Sequence, residues 1–202
     1  MWLTFLSDFG YEDAFLGVCK GVIARTEPQV SILDVLHLVA PQDIEQGASV
    51  LASAIPYLPV PAVHLALVDP FRAIPSRAVA VRTADGSTFV GPDNGLTSQA
   101  WAVAGGAVSA YLLDERDLWL PSPARTFRAR DVFSPVAARL AAGMPVEAAR
   151  TSAMSSSSTS ATTSMSPDFH CFSRSAFWPR SFFSSSRSDA AFSKSWASIA
   201  DS

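Results

Sequence analysis

Along the first 150 residues, short apolar runs bounded by turn residues alternate with stretches in which apolar side chains recur every three or four positions. A strand buried on both faces needs a continuous apolar run, whereas a helix packed on a sheet needs only one apolar face. The alternation therefore predicts βα units around a layered, mostly parallel sheet with flanking helices, an α/β fold. Trp2 to Leu6, Ser31 to Val35 and Val63 to Val68 read as buried strands. Asp13 to Thr26 reads as a helix with Phe15, Val18, Val22 and Ile23 on its inner face, Gly17 and Gly21 for close approach, and Pro28 beyond its end. A second helix is expected from Ile44 to about Ile55, with Asp43 as its N-cap and Pro56 after its end. Ala78 to Arg82 and Thr88 to Gly91 flank Asp85-Gly86, a strong hairpin signal, so the sheet should turn antiparallel there. Tyr111 to Leu113 is a weaker strand, and Asp131 to Ala142 a last helix stopped by Gly143 and Pro145.

The pattern ends near Arg150. Serine rises from about one residue in fifteen before that point to more than one in three after it, with no periodicity. The expected organisation is one α/β domain over 1–150 and a low-complexity tail over 151–202. Disordered tails are poor in aromatics, yet this one holds Phe169, Phe172, Phe177, Trp178, Phe182, Phe183, Phe192 and Trp196. Two readings of it stand: a serine-rich disordered extension, or a segment translated from a shifted frame.

Composition narrows the function. The 202 residues carry a formal net charge of −3 with 49% apolar content, enough for a sizeable core and without the basic footprint of a nucleic-acid binder. Cys19 and Cys171 form no framework and no zinc spacing, which fits a reducing, cytoplasmic setting. The N-terminus lacks a basic leader region and meets Asp8 early, and no apolar run reaches about 18 residues, so no membrane association is expected.

Candidate chemistry gathers where strands end. Asp8 follows the first strand, at the edge where open α/β sheets bind ligands, and is placed to accept hydrogen bonds from a sugar diol. Asp69 repeats the arrangement after a later strand. Gly91-Pro92-Asp93-Asn94-Gly95 is either a tight turn or a contact loop. In Thr126-Phe127-Arg128-Ala129-Arg130-Asp131, Asp131 can cap the last helix and Arg130 can pair with a carboxylate. His37 and His64 read as packed residues. Asp8, Asp13 and Asp69 are oxygen donors of the kind Mg²⁺ accepts, but no spacing enforces a site and no metal is assigned.

Taken in order, Ser7-Asp8-Phe9-Gly10, Gly17 to Val22, Asp34 to His37 with Pro41 to Ala48, Val68-Asp69-Pro70, the VGPDNGL run from Val90 to Leu96, and Thr126-Phe127 with Arg130-Asp131 resemble the S-adenosyl-L-methionine hydroxide adenosyltransferase family. The resemblance runs from Met1 to about Arg150. It implies a Rossmann-like N-terminal domain normally followed by a β-barrel domain in a homotrimer, with the nucleoside held between the first domain of one subunit and the second of its neighbour. It also implies hydrolysis of S-adenosylmethionine (SAM) to adenosine and methionine, and kinship with fluorinase and chlorinase. SAM is then the substrate and no cofactor is needed. Asp8, Phe9, Asn94, Thr126 and Phe127 fall in the substrate-binding motifs, and Asp69, Arg77 and Arg128 at or beside the catalytic Asp-Arg-His positions.

The departures lie among those last residues. Where the family has Val-Asp-Pro-Gly-Val-Gly, this chain has Val68-Asp69-Pro70-Phe71-Arg72-Ala73; the family arginine falls at Ser76 or, one residue on, at Arg77; and Arg128 replaces its histidine. A guanidinium cannot act as a base near pH 7. The expectation is a SAM hydrolase of weak or no activity, with a nucleoside-binding protein that has lost catalysis and a truncated non-functional product as the alternatives.

Overall fold

A computed structural model describes residues 1–68, 77–124 and 126–150, which form three layers, helices on both faces of one sheet. The strands are β1 (Trp2–Ser7), β2 (Ser31–Leu36), β3 (Ala62–Leu67), β4 (Ala78–Thr83), β5 (Thr88–Pro92) and β6 (Ala107–Leu112), in the spatial order β2-β1-β3-β5-β4-β6. β2, β1, β3 and β5 run parallel, while β4 runs against both β5 and β6. The mostly parallel sheet expected from the sequence is therefore present, and so is the antiparallel hairpin. Asp85 builds that hairpin: Oδ1 accepts the Thr83 hydroxyl at 2.7 Å and the Ser87 N–H at 2.9 Å.

The helices are α1 (Phe15–Thr26), α2 (Ile44–Ala54), α3 (Ser98–Val103) and α4 (Ser134–Ala141). α1 packs beside α4 on one face of the sheet, and α2 beside α3 on the other. Asp43 caps α2 as expected, its Oδ1 accepting the Gln46 N–H at 2.9 Å. The inner face of α1 matches the expectation only in part, at Ile23 and Phe15. Leu16, Cys19 and Ile23 are buried while Val18 is exposed, and a Cβ added at Gly17 or Gly21 would meet nothing within 4 Å. Those glycines lie on the solvent side and serve no close approach. The last helix also begins differently: a wide π-helical turn over Ala129–Phe133 precedes α4, and Asp131 sits inside that turn rather than capping it. Phe133 and Val132 still reach the core. Residues 69–76, 125 and 151–202 lie outside the described residues, and with them Asp69 and the serine-rich segment.

Two apolar cores result, one per face. Leu3, Phe5, Leu65 and Val90 point toward α1 and α4, whereas Leu6, Ala66, Val68 and Phe89 point toward α2 and α3. β5 lies close against β3 at Gly91, where a Cβ would stand 2.5 Å from the Ala66 carbonyl oxygen. Only glycine lets β5 lie this near β3.

One polar side chain is committed to the second core. His64 of β3 is buried, shares a 2.8 Å hydrogen bond with Thr4 Oγ1, and stacks 4.6 Å from Phe89. Burial pushes its imidazole down to about 4. The folded state thus resists a proton that the unfolded chain takes up near 6.5, so this contribution is complete above about pH 6.5 and is lost as pH falls toward 4. Urea unfolding between pH 7.5 and 4.5 should show stability declining through that window, with His64 responsible for up to about 3 kcal/mol. His64→Gln, which cannot titrate, should flatten the decline; an unchanged slope would show that His64 is not its source.

Candidate functional site

A parallel sheet exposes its carboxyl strand ends along one edge, and ligands bind where successive crossovers leave in opposite directions. Here that point lies between β1 and β3. The chain leaves β1 through α1 on one face toward β2, then returns through α2 on the other face to β3. Asp8 is the first residue after β1, and Val68 the first after β3.

Asp8 is partly buried. Its Oδ2 accepts the Gln42 N–H at 2.9 Å, from the loop that leads into α2. Desolvation raises its carboxyl above the usual range, and the hydrogen bonds from Gln42 and from its own backbone amide oppose that rise. The backbone N–H of Asp8 reaches across to the Leu67 carbonyl at 3.4 Å, and Gly10, at φ +70°, donates its N–H to the His37 carbonyl at 2.8 Å. The turn from Ser7 to Gly10 is thereby tied to the ends of both β3 and β2. Phe9 extends it into a file of rings, with Phe5 at 6.2 Å, Phe15 at 4.9 Å, and Phe127 beyond Phe15 at 5.8 Å. This file brings the Thr126-Phe127-Arg128 segment beside the Asp8 turn although the two are far apart in sequence.

The segment is braced from below. Arg130 forms a two-pronged pair with Asp131 at 2.5 and 2.9 Å and lies over the Phe127 ring at 4.8 Å. That partner, with the Ala124 N–H, holds the Asp131 carboxyl below its ordinary range. Thr126 and Phe127 are exposed, while Arg128 is partly buried with its guanidinium 5.3 Å from the Phe133 ring.

On the other side of β3, Asn94 donates from Nδ2 to the Val68 carbonyl at 2.8 Å and accepts the Leu96 N–H on Oδ1 at 3.1 Å. Its amide is a clamp between β5 and the end of β3, which gives the turn reading of this loop its physical content. Arg77 donates twice to Asp93 Oδ2, at 3.0 and 2.5 Å, so its guanidinium is anchored by a carboxylate on the same loop. β1 and β5 thus grip the last residues of β3, and Asp69 follows directly from the gripped Val68.

Sequence reasoning passed over one feature of this edge. His37, read as a packed residue, is indeed buried, but it also bonds Ser7 and Asp34, and Asp34 pairs with Lys20. The Asp34-Val35-Leu36-His37 spacing at a strand end was the available signal. Among the described residues, no group of three His, Cys, Asp or Glu is gathered as a metal site, and no helix is long and apolar enough to cross a membrane.

Comparison with known proteins points to one family. Residues 3–150 match the family model described as the SAM hydroxide adenosyltransferase N-terminal domain. The chain is 50% identical over 146 residues to an (R)-S-adenosyl-L-methionine hydrolase of Salinispora tropica, covering 72% of this chain and 55% of the relative. It is 43% identical over 150 residues to a protein of the same name from Thermus thermophilus, covering 71% and 58%. A crystal structure of an uncharacterized conserved protein from Thermotoga maritima superposes with a TM-score of 0.70 at 31% identity, over 78% of this chain and 61% of that one. The chain therefore spans little more than half the length of these curated relatives.

Removing the Asn94 amide should leave the Val68 carbonyl without its partner and loosen the strand end before Asp69. Asn94→Ala is expected to lower unfolding stability by about 1–3 kcal/mol. A loss below a few tenths, measured by urea denaturation, would mean that the clamp contributes nothing.

Proposed function

This chain belongs to the SAM hydroxide adenosyltransferase family through its N-terminal domain, and from that premise we propose that it binds SAM by the ribose diol at Asp8 and hydrolyses it slowly to adenosine and methionine. The supporting observation is the Asp8 carboxylate itself, placed at the sheet's switch point with its backbone fixed to β3 and one oxygen held by Gln42. A carboxylate accepts from both hydroxyls of a vicinal diol, and its fixed turn limits the entropy lost on binding. Phe9 and Phe127 supply apolar surface beside it, suited to a nucleoside.

In the proposed reaction, the oxygen of water forms a bond to C5′ while the C5′–S bond breaks and its electron pair returns to sulfur. Methionine leaves as a neutral thioether, so no general acid is required, and the attacking water gives up one proton to the solvent. Alignment of that water is then the main demand on the protein. We assign it to Asp69, with Arg77, anchored by Asp93, and Arg128 as the cations of the set. Arg128 takes no proton near pH 7 and its charge opposes the sulfonium, which is why slow turnover is proposed. A cytoplasmic setting and assembly as a homotrimer, in which a neighbouring subunit closes the pocket, belong to the same proposal.

The test follows adenosine release from SAM by chromatography. Adenosine above the uncatalysed background, abolished in Asp8→Asn and raised at least about tenfold in Arg128→His, is the expected result. Release unchanged by Asp8→Asn would refute the assignment of the ribose to Asp8. Binding of adenosine without any release would leave a nucleoside-binding domain that does not turn SAM over.

A further inference from the structure

Beneath the Asp8 turn runs a polar chain, buried at Ser7 and His37 and reaching the surface at Asp34 and Lys20, that the proposed reaction does not use. His37, the first residue after β2, lies edge-on to Phe5 at 4.9 Å and to Tyr11 at 5.8 Å. Its Nδ1 meets Ser7 Oγ at 2.7 Å, its Nε2 meets Asp34 Oδ1 at 3.1 Å, and Lys20 Nζ donates to Asp34 Oδ2 at 2.6 Å. Ser7 Oγ in turn accepts the Phe9 N–H at 3.4 Å.

The partners fix the direction of every bond. Lys20 keeps Asp34 ionised, and the net effect holds that carboxyl below its ordinary range although burial works against the charge. An ionised carboxylate only accepts, so Nε2 carries the imidazole proton. Burial keeps the ring neutral, the Asp34 carboxylate opposing but not overturning it. Nδ1 therefore presents a lone pair and accepts the Ser7 hydroxyl hydrogen. That leaves the Ser7 oxygen lone pairs for the Phe9 N–H. The chain runs Phe9 N–H to Ser7, Ser7 to His37 and His37 to Asp34, with Lys20 donating from the far side.

The same residue also holds the other end of the turn, because the His37 carbonyl accepts the Gly10 N–H at 2.8 Å. His37 thus grips Ser7 by its side chain and Gly10 by its backbone, and Asp8 is carried between the two. Ser7 is itself buried, which excludes it as a nucleophile toward a bound ligand despite its Ser-His-Asp company.

We propose that His37, relayed through Ser7 and backed by Asp34 and Lys20, is a positioning residue that aims the Asp8 carboxylate at the ribose diol. This rests on the assignment of Asp8 to the ribose. A network with every member satisfied holds one geometry, and a ligand-binding carboxylate needs such support from the groups behind it.

Calorimetric titration of the full chain with adenosine and with 2′,3′-dideoxyadenosine separates aim from folding, because only adenosine offers the diol. In the wild type, adenosine is expected to bind at least about tenfold tighter; equal affinities would refute the ribose assignment and this inference with it. Ser7→Ala and His37→Leu should each reduce that preference to about threefold or less while changing dideoxyadenosine affinity by less than about twofold. His37→Asn, whose amide oxygen still accepts from Ser7, should retain more of the preference than His37→Leu. With the wild-type preference in place, an unchanged ratio in Ser7→Ala, or an equal loss for both ligands, would overturn the positioning role alone. Ser7→Ala removes a single oxygen and decides the matter even if His37→Leu does not fold.

Discussion

The approach of Gly91 to the Ala66 carbonyl sets the level at which the central strands end. With a Cβ at that position only 2.5 Å from the Ala66 oxygen, β5 would be forced off β3 and the loop after β5 would move with it. Because the contact is open, Asn94 reaches the Val68 carbonyl from one side while Asp8 reaches the Leu67 carbonyl from the other. The end of β3 is held from both neighbours. The described part of the site depends on that grip, since Asp8 and Asp93 owe their common edge to it.

A second constraint is the presence of polar groups in a sheet whose strands are otherwise apolar. Burying an imidazole is unfavourable unless its nitrogens are paired. The fold satisfies this in two ways. His64 sits mid-strand, bonded to Thr4 and stacked on Phe89 within the core facing α2 and α3. His37 sits at a strand end and is linked outward through the exposed Asp34 to Lys20. The first ties two strands together inside the core. The second lies under the turn that carries Asp8, so the polar groups at that end of the sheet are arranged around that turn.

Much of this architecture was legible in the chain. β1, β2 and β3 emerged within a residue or two of their bounds from short, mainly apolar runs, and Asp85-Gly86 announced the one reversal beside β5. α3 went unseen because Ser98–Val103 is too short to display a helical period. The buried stripe of α1 was placed in part: Ile23 is buried and Phe15 packs against the same core as expected, but Val18 is exposed and Leu16 and Cys19 are the buried positions, a choice that spacing leaves open and packing against α4 makes. For the same reason Gly17 and Gly21 looked like contact glycines and are not. Among candidate site residues, Asp8 was found from its place after a strand and Phe127 from its motif. The Asn94 clamp, the Arg77–Asp93 pair and the Ser7-His37-Asp34-Lys20 chain join residues up to dozens of positions apart, and spacing alone does not encode such contacts. The match over residues 3–150 shows the family, which periodicity could not supply.

The central claim is that a nucleoside sits at the switch point between β1 and β3 with its ribose on Asp8. A crystal structure of the chain with adenosine bound tests it most directly. The account predicts both ribose hydroxyls within about 3 Å of the Asp8 carboxylate, with the Ser7-to-Gly10 turn still bonded to His37. Adenosine bound with its ribose away from Asp8, or a turn detached from His37 in the complex, would contradict it.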